Sequence, residues 1–216
     1  MLTPLIVANW KMNYGIAQTA DFIKFLKNAA LPKDREIVIC PPFTVLHLFG
    51  AVPHGGQDLH WEKSGAFTGE VSADMLKELG CIYVIIGHSE RRQYFGETDK
   101  TVVKKVDAAL TAGLTPIVCV RSVEEVTPAL VGKPIVIAYE PVWAIGTGNA
   151  ATPEHAQDIH SQIRKLVGDQ VRILYGGSVN ETNAAGYLAQ PDVNGLLVGG
   201  ASLDANTFLK IINAPR

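Results

Sequence analysis

Three cysteines, Cys40, Cys81 and Cys119, are all that 216 residues contain, and they stand far apart without metal-ligand or redox-motif spacing. A disulfide framework, a zinc centre and a dithiol active site are therefore not expected. Each lies in or beside an apolar run, the setting of a buried free thiol. No apolar stretch has the length of a bilayer span, and Met1-Leu2-Thr3-Pro4 lacks the basic and apolar regions of a secretory leader. A cytoplasmic chain without membrane contact is expected. Positive charge is not in excess either: 19 Lys and Arg face 21 Asp and Glu, a formal charge of −2, so no broad field exists to hold nucleic acid. Any anion site has to be local. With 47% hydrophobic and 19% charged residues the chain can bury a full core. No linker or break in composition divides it, so residues 1–216 are expected to form one domain.

What is present is a rhythm of apolar runs and amphipathic segments. Apolar runs at 5–9, 37–40, 81–86, 116–120, from Ile135 up to Glu140, at 171–175 and at 195–198 read as strands. A weak one at 54–57 is assigned only by its place in the series, because Gly55-Gly56 is poor strand material. Helical spacing recurs at 17–29, 101–112, 153–167, 183–189 and 203–212, with shorter helices capped by Thr44 and by Ser72. Ser122-Val123-Glu124-Glu125 is a capping-box sequence that opens a helix able to reach only Leu130, since Gly132 and Pro134 follow. The strands are apolar without alternation, as in a parallel sheet covered on both faces. Eight strand-helix units without a spare edge predict an α/β fold closed as a (β/α)8 barrel with a shortened fifth β/α unit.

In such a barrel catalytic groups sit at the C-terminal ends of the strands. Asn9 and Lys11 follow the first strand, His88 the fourth and Glu140 the sixth: an amide, a cation, an imidazole and a carboxylate. After the seventh and eighth strands come Gly176-Gly177-Ser178 and Gly199-Gly200, where bare backbone N–H groups can take a phosphate. The segment after Glu140, Pro141, Val142, Trp143, Ala144, Ile145, Gly146, Thr147 and Gly148, is too apolar for an ordinary solvated loop and has glycine hinges. It reads as a lid, able to desolvate Glu140 and raise its basicity when substrate is bound. Gly146-Thr147-Gly148 lacks the further glycine and distal acid of a dinucleotide fingerprint. Glu90, Arg91 and Arg92 are read first as a salt-bridged structural cluster at a helix start. From the residues alone, a phosphate-binding barrel enzyme of another specificity and a non-catalytic binding scaffold also stay open.

Five motifs taken together, Ala8-Asn9-Trp10-Lys11-Met12-Asn13, Ile86-Gly87-His88-Ser89-Glu90-Arg91-Arg92, the run from Ala138 to Gly148, Tyr175-Gly176-Gly177-Ser178-Val179 and Val198-Gly199-Gly200-Ala201-Ser202-Leu203, resemble the triosephosphate isomerase family in order and from end to end. The resemblance implies a TIM barrel and interconversion of two phosphorylated trioses through an enediol, with no metal and no cofactor. It implies Glu140 as the base, neutral His88 as the electrophile, Lys11 and Asn9 against the developing charge, and Gly146, Ser178, Gly199 and Gly200 around the phosphate, with Ile145 and Leu197 pressing on Glu140. It further implies a homodimer through the third loop, with Gln57, Phe67, Thr68, Gly69 and Glu70 reaching a partner subunit. Three departures stand out, one being Arg121-Ser122 where Gly-Glu normally follows Cys-Val. Only residues 121–133 join the fifth and sixth strands, where the family usually has far more, and Asp58 follows Gln57 where asparagine is usual.

Overall fold

The computed structural model describes residues 2–143 and 150–216. Among the described residues eight strands, β1 (Leu5–Asn9), β2 (Glu36–Cys40), β3 (Gly55–Gly56), β4 (Tyr83–Ile86), β5 (Thr115–Val120), β6 (Val136–Tyr139), β7 (Arg172–Tyr175) and β8 (Gly195–Val198), make one sheet in the order β2-β1-β8-β7-β6-β5-β4-β3. All neighbours are parallel. A parallel bridge between Ile39 and His54, with the Ile39 N–H donating to Pro53 O at 3.2 Å, joins the two end strands and closes the barrel.

The absence of alternation in the strands has a direct cause. In β1, Leu5 and Val7 point into the barrel and Ile6 and Ala8 outward to the helices, and all four are fully buried. The same division holds for Val136 and Ala138 against Ile137 and Tyr139 in β6. Both faces of each strand are core, so both parities are apolar. Full burial is worth about 1.5 to 3 kcal/mol for each Val, Leu or Ile, which is why an unbroken apolar run is read so reliably as a strand here.

The helices are α1 (Ile16–Asn28), α2 (Ala73–Glu78), α3 (Ser89–Tyr94), α4 (Asp99–Thr111), α5 (Pro153–Val167), α6 (Ala184–Leu188) and α7 (Ala205–Ile212). Side-chain oxygens take the orphan N–H groups at several starts: Ser72 from Met75, Thr98 from Thr101, Thr152 from His155 and Asp204 from Thr207. Among the described residues no helix is long and apolar enough to cross a membrane, and no group of three or more His, Cys, Asp or Glu is placed to hold a metal ion. Cys40, Cys81 and Cys119 are free and buried.

Several expectations need correction. The strand expected at 54–57 is only Gly55–Gly56, and glycine is required there because a Cβ on Gly55 would lie 2.6 Å from Tyr83 O. The segment at Thr44 is a 3₁₀ turn over Phe43–Leu48 behind Pro42, with no side-chain cap. The Ser122 capping box does not form. Ser122 makes no cap bond, Glu125 instead accepts from Arg121 N at 2.8 Å and Arg121 Nε at 2.7 Å, and a 3₁₀ turn covers only Val123–Glu125. Pro128 disfavours helical backbone at Thr127, so the turn cannot grow. The shortened fifth unit is nevertheless no gap in the shell. Val126, Leu130 and Ile135 from the connection are buried in the outer core, beside Val118, Val120 and Ile137 of the strands that they cover. A Lys133–Asp107 ion pair ties the end of this plug to α4.

Candidate active site

The inward parity of the strands carries straight into the barrel mouth. After Leu5 and Val7 the next inward residue is Asn9, and after Val136 and Ala138 it is Glu140; both are buried, at 5% and 1% exposure. In β4 the parity is broken by Gly87, whose φ of +73° favours glycine and whose Cβ would lie 2.8 Å from Val102 Cγ2. His88 follows this reset, caps α3 and is buried. Lys11 is one of two non-glycine residues of positive φ among the described ones, at 53°. Such backbone costs about 1 to 3 kcal/mol, offset here by fixed partners. Its N–H donates to Asn9 Oδ1 at 3.1 Å, and its carbonyl accepts from Gln57 Nε2 at 2.8 Å.

The polar side chains meet at short range. Glu140 places Oε1 2.9 Å from His88 Nε2, and Oε2 accepts from the Ser89 N–H at 2.8 Å. His88 Nδ1 accepts from the Glu90 N–H at 3.2 Å, which leaves the single proton of a neutral ring on Nε2. Lys11 Nζ lies 2.5 Å from Glu90 Oε1, both partly exposed at the rim. Beneath Glu140, burial and the neighbouring carboxylate push the Cys119 thiol well above its ordinary range, so it stays protonated. A carboxylate held by two donors that substrate could replace, beside a neutral N–H donor and a cation, can move a proton between carbons next to a carbonyl.

Asn9, Lys11, His88, Glu140, Gly176, Gly177, Ser178, Leu197, Gly199 and Gly200 all line one cavity of about 210 Å³. Larger hollows, about 420 Å³ beside Trp61 and about 710 Å³ beside Ile37, hold no buried carboxylate. A Cβ on Gly200 would meet nothing within 4 Å, whereas one on Gly177 would lie 2.2 Å from Tyr175 Oη. Gly200 is thus open toward a ligand, while Gly177 is glycine because a tyrosine passes beneath it.

Of the expected lid, Pro141 is buried and Val142 and Trp143 are half exposed, with the Trp143 indole edge-on to His155 at 5.8 Å between centroids. Ala144, Ile145, Gly146, Thr147 and Gly148 lie outside the described residues. In the third loop Phe67, Thr68, Gly69 and Glu70 are exposed, but Gln57 is turned inward to Lys11 O and Cys40 O. Arg91 and Arg92 form ion pairs as the cluster reading expects, Arg91 with Asp58 and Glu97, Arg92 with Asp99. Glu90 does not belong to that cluster, since it faces Lys11 and His88. Asp58 joins Lys105, Glu97 and the partly exposed Arg91 in a four-charge network that local sequence gives no sign of, because its members come from the third loop, α3, the turn after α3 and α4. Burial raises Asp58 to about 6 despite its cations, while Lys105 and Arg91 hold Glu97 below its ordinary value.

The chain is similar to known proteins along almost its whole length. A family model described as Triosephosphate isomerase matches residues 4–215. Proteins named triosephosphate isomerase are 48% identical in Aquifex aeolicus, over 96% of this chain and 98% of the relative, and 46% identical in Endomicrobium trichonymphae, over 98% of each. One from Herpetosiphon aurantiacus is 46% identical over 98% of this chain and 99% of its own length. The first of these alignments runs over 241 positions against 216 residues here, so at least 25 positions have no counterpart in this chain. Barrel, motifs and matches over nearly every residue agree, and the chain belongs to the triosephosphate isomerase family.

Proposed function

We propose that this protein is a triose-phosphate isomerase that interconverts dihydroxyacetone phosphate and D-glyceraldehyde 3-phosphate in glycolysis and gluconeogenesis, with residues 1–216 acting as one domain in the cytoplasm. What supports this above all is the buried pairing of Glu140 with His88 at 2.9 Å in the same cavity as Lys11 and the two glycine loops. Substrate takes over the donors that now hold Glu140. The freed carboxylate removes a proton from the carbon beside the carbonyl, His88 Nε2–H and Asn9 donate to the carbonyl oxygen as it gains charge, and Lys11 offsets that charge. His88 passes its Nε2 proton to that oxygen and takes the hydroxyl proton of the neighbouring oxygen in its place, and Glu140 returns the first proton to the former carbonyl carbon as the new carbonyl forms on the other. The electron pair stays within the substrate throughout, so the reaction is redox-neutral overall. Backbone N–H groups of Gly146, Ser178, Gly199 and Gly200 hold the phosphate, whose binding energy is used to close the lid segment 141–148 over the reacting carbons. Leu197, which lines the cavity with Glu140, keeps water from the carboxylate.

The exposed third loop, with Phe67 at 42% exposure, suits insertion into a second copy, and a homodimer is proposed. The free buried thiols suit a reducing compartment. A coupled isomerase assay with a sizing measurement tests the proposal: turnover of the triose phosphate by a dimer is expected. Tight binding of an enediolate mimic without turnover would make the protein a scaffold instead.

A further inference from the structure

Where the family usually has Gly-Glu after Cys-Val, this chain has Arg121-Ser122, yet a carboxylate returns to the end of β5 three residues further on. Glu125 folds back onto the strand end, accepting from Arg121 N at 2.8 Å, from Arg121 Nε at 2.7 Å and from Arg121 Nη2. The failed capping box and the short 3₁₀ turn over Val123–Glu125 are what bring it there. So held, it places Oε2 3.9 Å from Arg92 Nη2 of α3.

The Arg92 side chain is only 5% exposed, and a charge so placed needs partners. Of the two carboxylates beside it, Asp99 is 51% exposed at the side chain and screened by solvent, whereas Glu125 is 14% exposed. Arg92 in turn touches the backbone that carries His88. Its Nε donates to Gly87 O at 3.0 Å, and its Nη2 lies 3.4 Å from where a Cβ on Gly87 would stand. Gly87, at φ +73°, resets the parity of β4 just before His88, and a glycine peptide turns freely unless a bond holds it. Arg92 supplies that bond. Glu125 then ties Arg92 to the end of β5, the strand whose Val120 O accepts from the Glu140 N–H at 2.8 Å. The two groups that face each other at 2.9 Å, His88 and Glu140, are thereby referred to one strand end.

We propose that Glu125 is a positioning residue for the isomerase reaction: through Arg92 it fixes the Gly87 carbonyl, and with it the ring of His88 against Glu140. The proposal rests on the isomerase reading above. Glu125→Gln keeps an oxygen for the Arg121 N–H and removes the charge that faces Arg92. In this variant kcat is expected to fall roughly three- to thirtyfold and the His88 Nε2–H proton resonance to move, while KM and affinity for inorganic phosphate change less than about threefold. Arg92→Met has neither the charge nor the bond to Gly87 O, so in that background Glu125→Gln is expected to lower kcat by less than about twofold more. A Glu125→Gln protein with wild-type kcat, or with the His88 resonance where the wild type has it, overturns the proposal, and so do effects of the two changes that simply multiply. Should Arg92→Met not fold, kcat and the His88 resonance of Glu125→Gln decide. If the wild type turns over no triose phosphate, the isomerase reading fails, and the His88 resonance still decides whether Glu125 sets the ring.

Discussion

His88 presents Nε2 to Glu140 Oε1 at 2.9 Å while its Nδ1 takes the Glu90 N–H at 3.2 Å, so the backbone of α3 sets the tautomer of the ring that faces the carboxylate. One short helix thereby orients both groups, because the Ser89 N–H at its first residue also holds Glu140 Oε2 at 2.8 Å. Replacing Glu140 with Gln keeps the size of the side chain but removes its capacity to accept a proton. Turnover should drop by roughly a hundred- to ten-thousandfold, with little change in phosphate affinity, as steady-state kinetics and calorimetry would read.

Gln57 is the support for the unusual backbone of Lys11. Its amide nitrogen donates to Lys11 O and Cys40 O, both at 2.8 Å, bridging the ends of β1 and β2. Gln57→Leu strands two carbonyls and loosens a residue at φ 53°. A loss of about 1 to 3 kcal/mol of stability is expected, with a fall in kcat/KM larger than in Leu130→Ala, a buried change in the connection between β5 and β6. Unchanged kinetics would mean that Lys11 is placed by Asn9 and Glu90 alone.

The plug between β5 and β6 should matter for folding more than for chemistry. Leu130 is 2% exposed in the outer core, whereas its neighbour Val131 is 44% exposed. Leu130→Ala should cost about 2 to 5 kcal/mol in denaturant titrations, with activity per folded molecule preserved, and Val131→Ala should cost less than about 0.5 kcal/mol.

His160 on α5 is fully buried, its Nδ1 3.3 Å from Asp192 O and its Nε2 without a partner among the described residues, and burial lowers it to about 4. The unfolded chain therefore binds the extra proton first, and stability is lost as pH falls from about 6.5 toward 4, by about 2 to 3 kcal/mol from this group at pH 4.5. Asp58 acts in the opposite sense. Raised to about 6, it keeps a proton in the folded state that the unfolded chain has released, so its contribution falls as pH rises from about 4 to 6. Chemical denaturation at pH 4.5 and 7 should show that His160→Leu narrows or reverses the wild-type difference. An unchanged difference would mean that His160 does not titrate in this window.

Much of this fold was legible because two-sided burial makes strands unmistakable: the run 5–9 is β1 residue for residue. What was hidden depends on contacts between distant segments. Gly55 and Gly56 read as strand breakers until Tyr83 O is seen against the first and the Leu76 side chain against the second. The Ser122 capping box is sound locally and loses to the Arg121–Glu125 pair and Pro128. In the site, Asn9 and Glu140 follow from inward parity, while Glu90 reads as one cluster with its neighbours Arg91 and Arg92 because helix spacing cannot show that Lys11, 79 positions away, approaches it. Gln57 reads as part of a partner-facing loop for the same reason, although its side chain closes on Lys11 O of its own chain.

The most direct test of the account is solvent exchange during turnover. In heavy water, the wild-type protein should interconvert the two triose phosphates and place deuterium on the carbons beside the carbonyl, because the proton held by Glu140 is open to exchange between removal and return, and Glu140→Gln should lower turnover and incorporation together by at least about a hundredfold. Turnover in Glu140→Gln within about tenfold of wild type, with deuterium still incorporated, would contradict the account, since the proton would then be carried by another group.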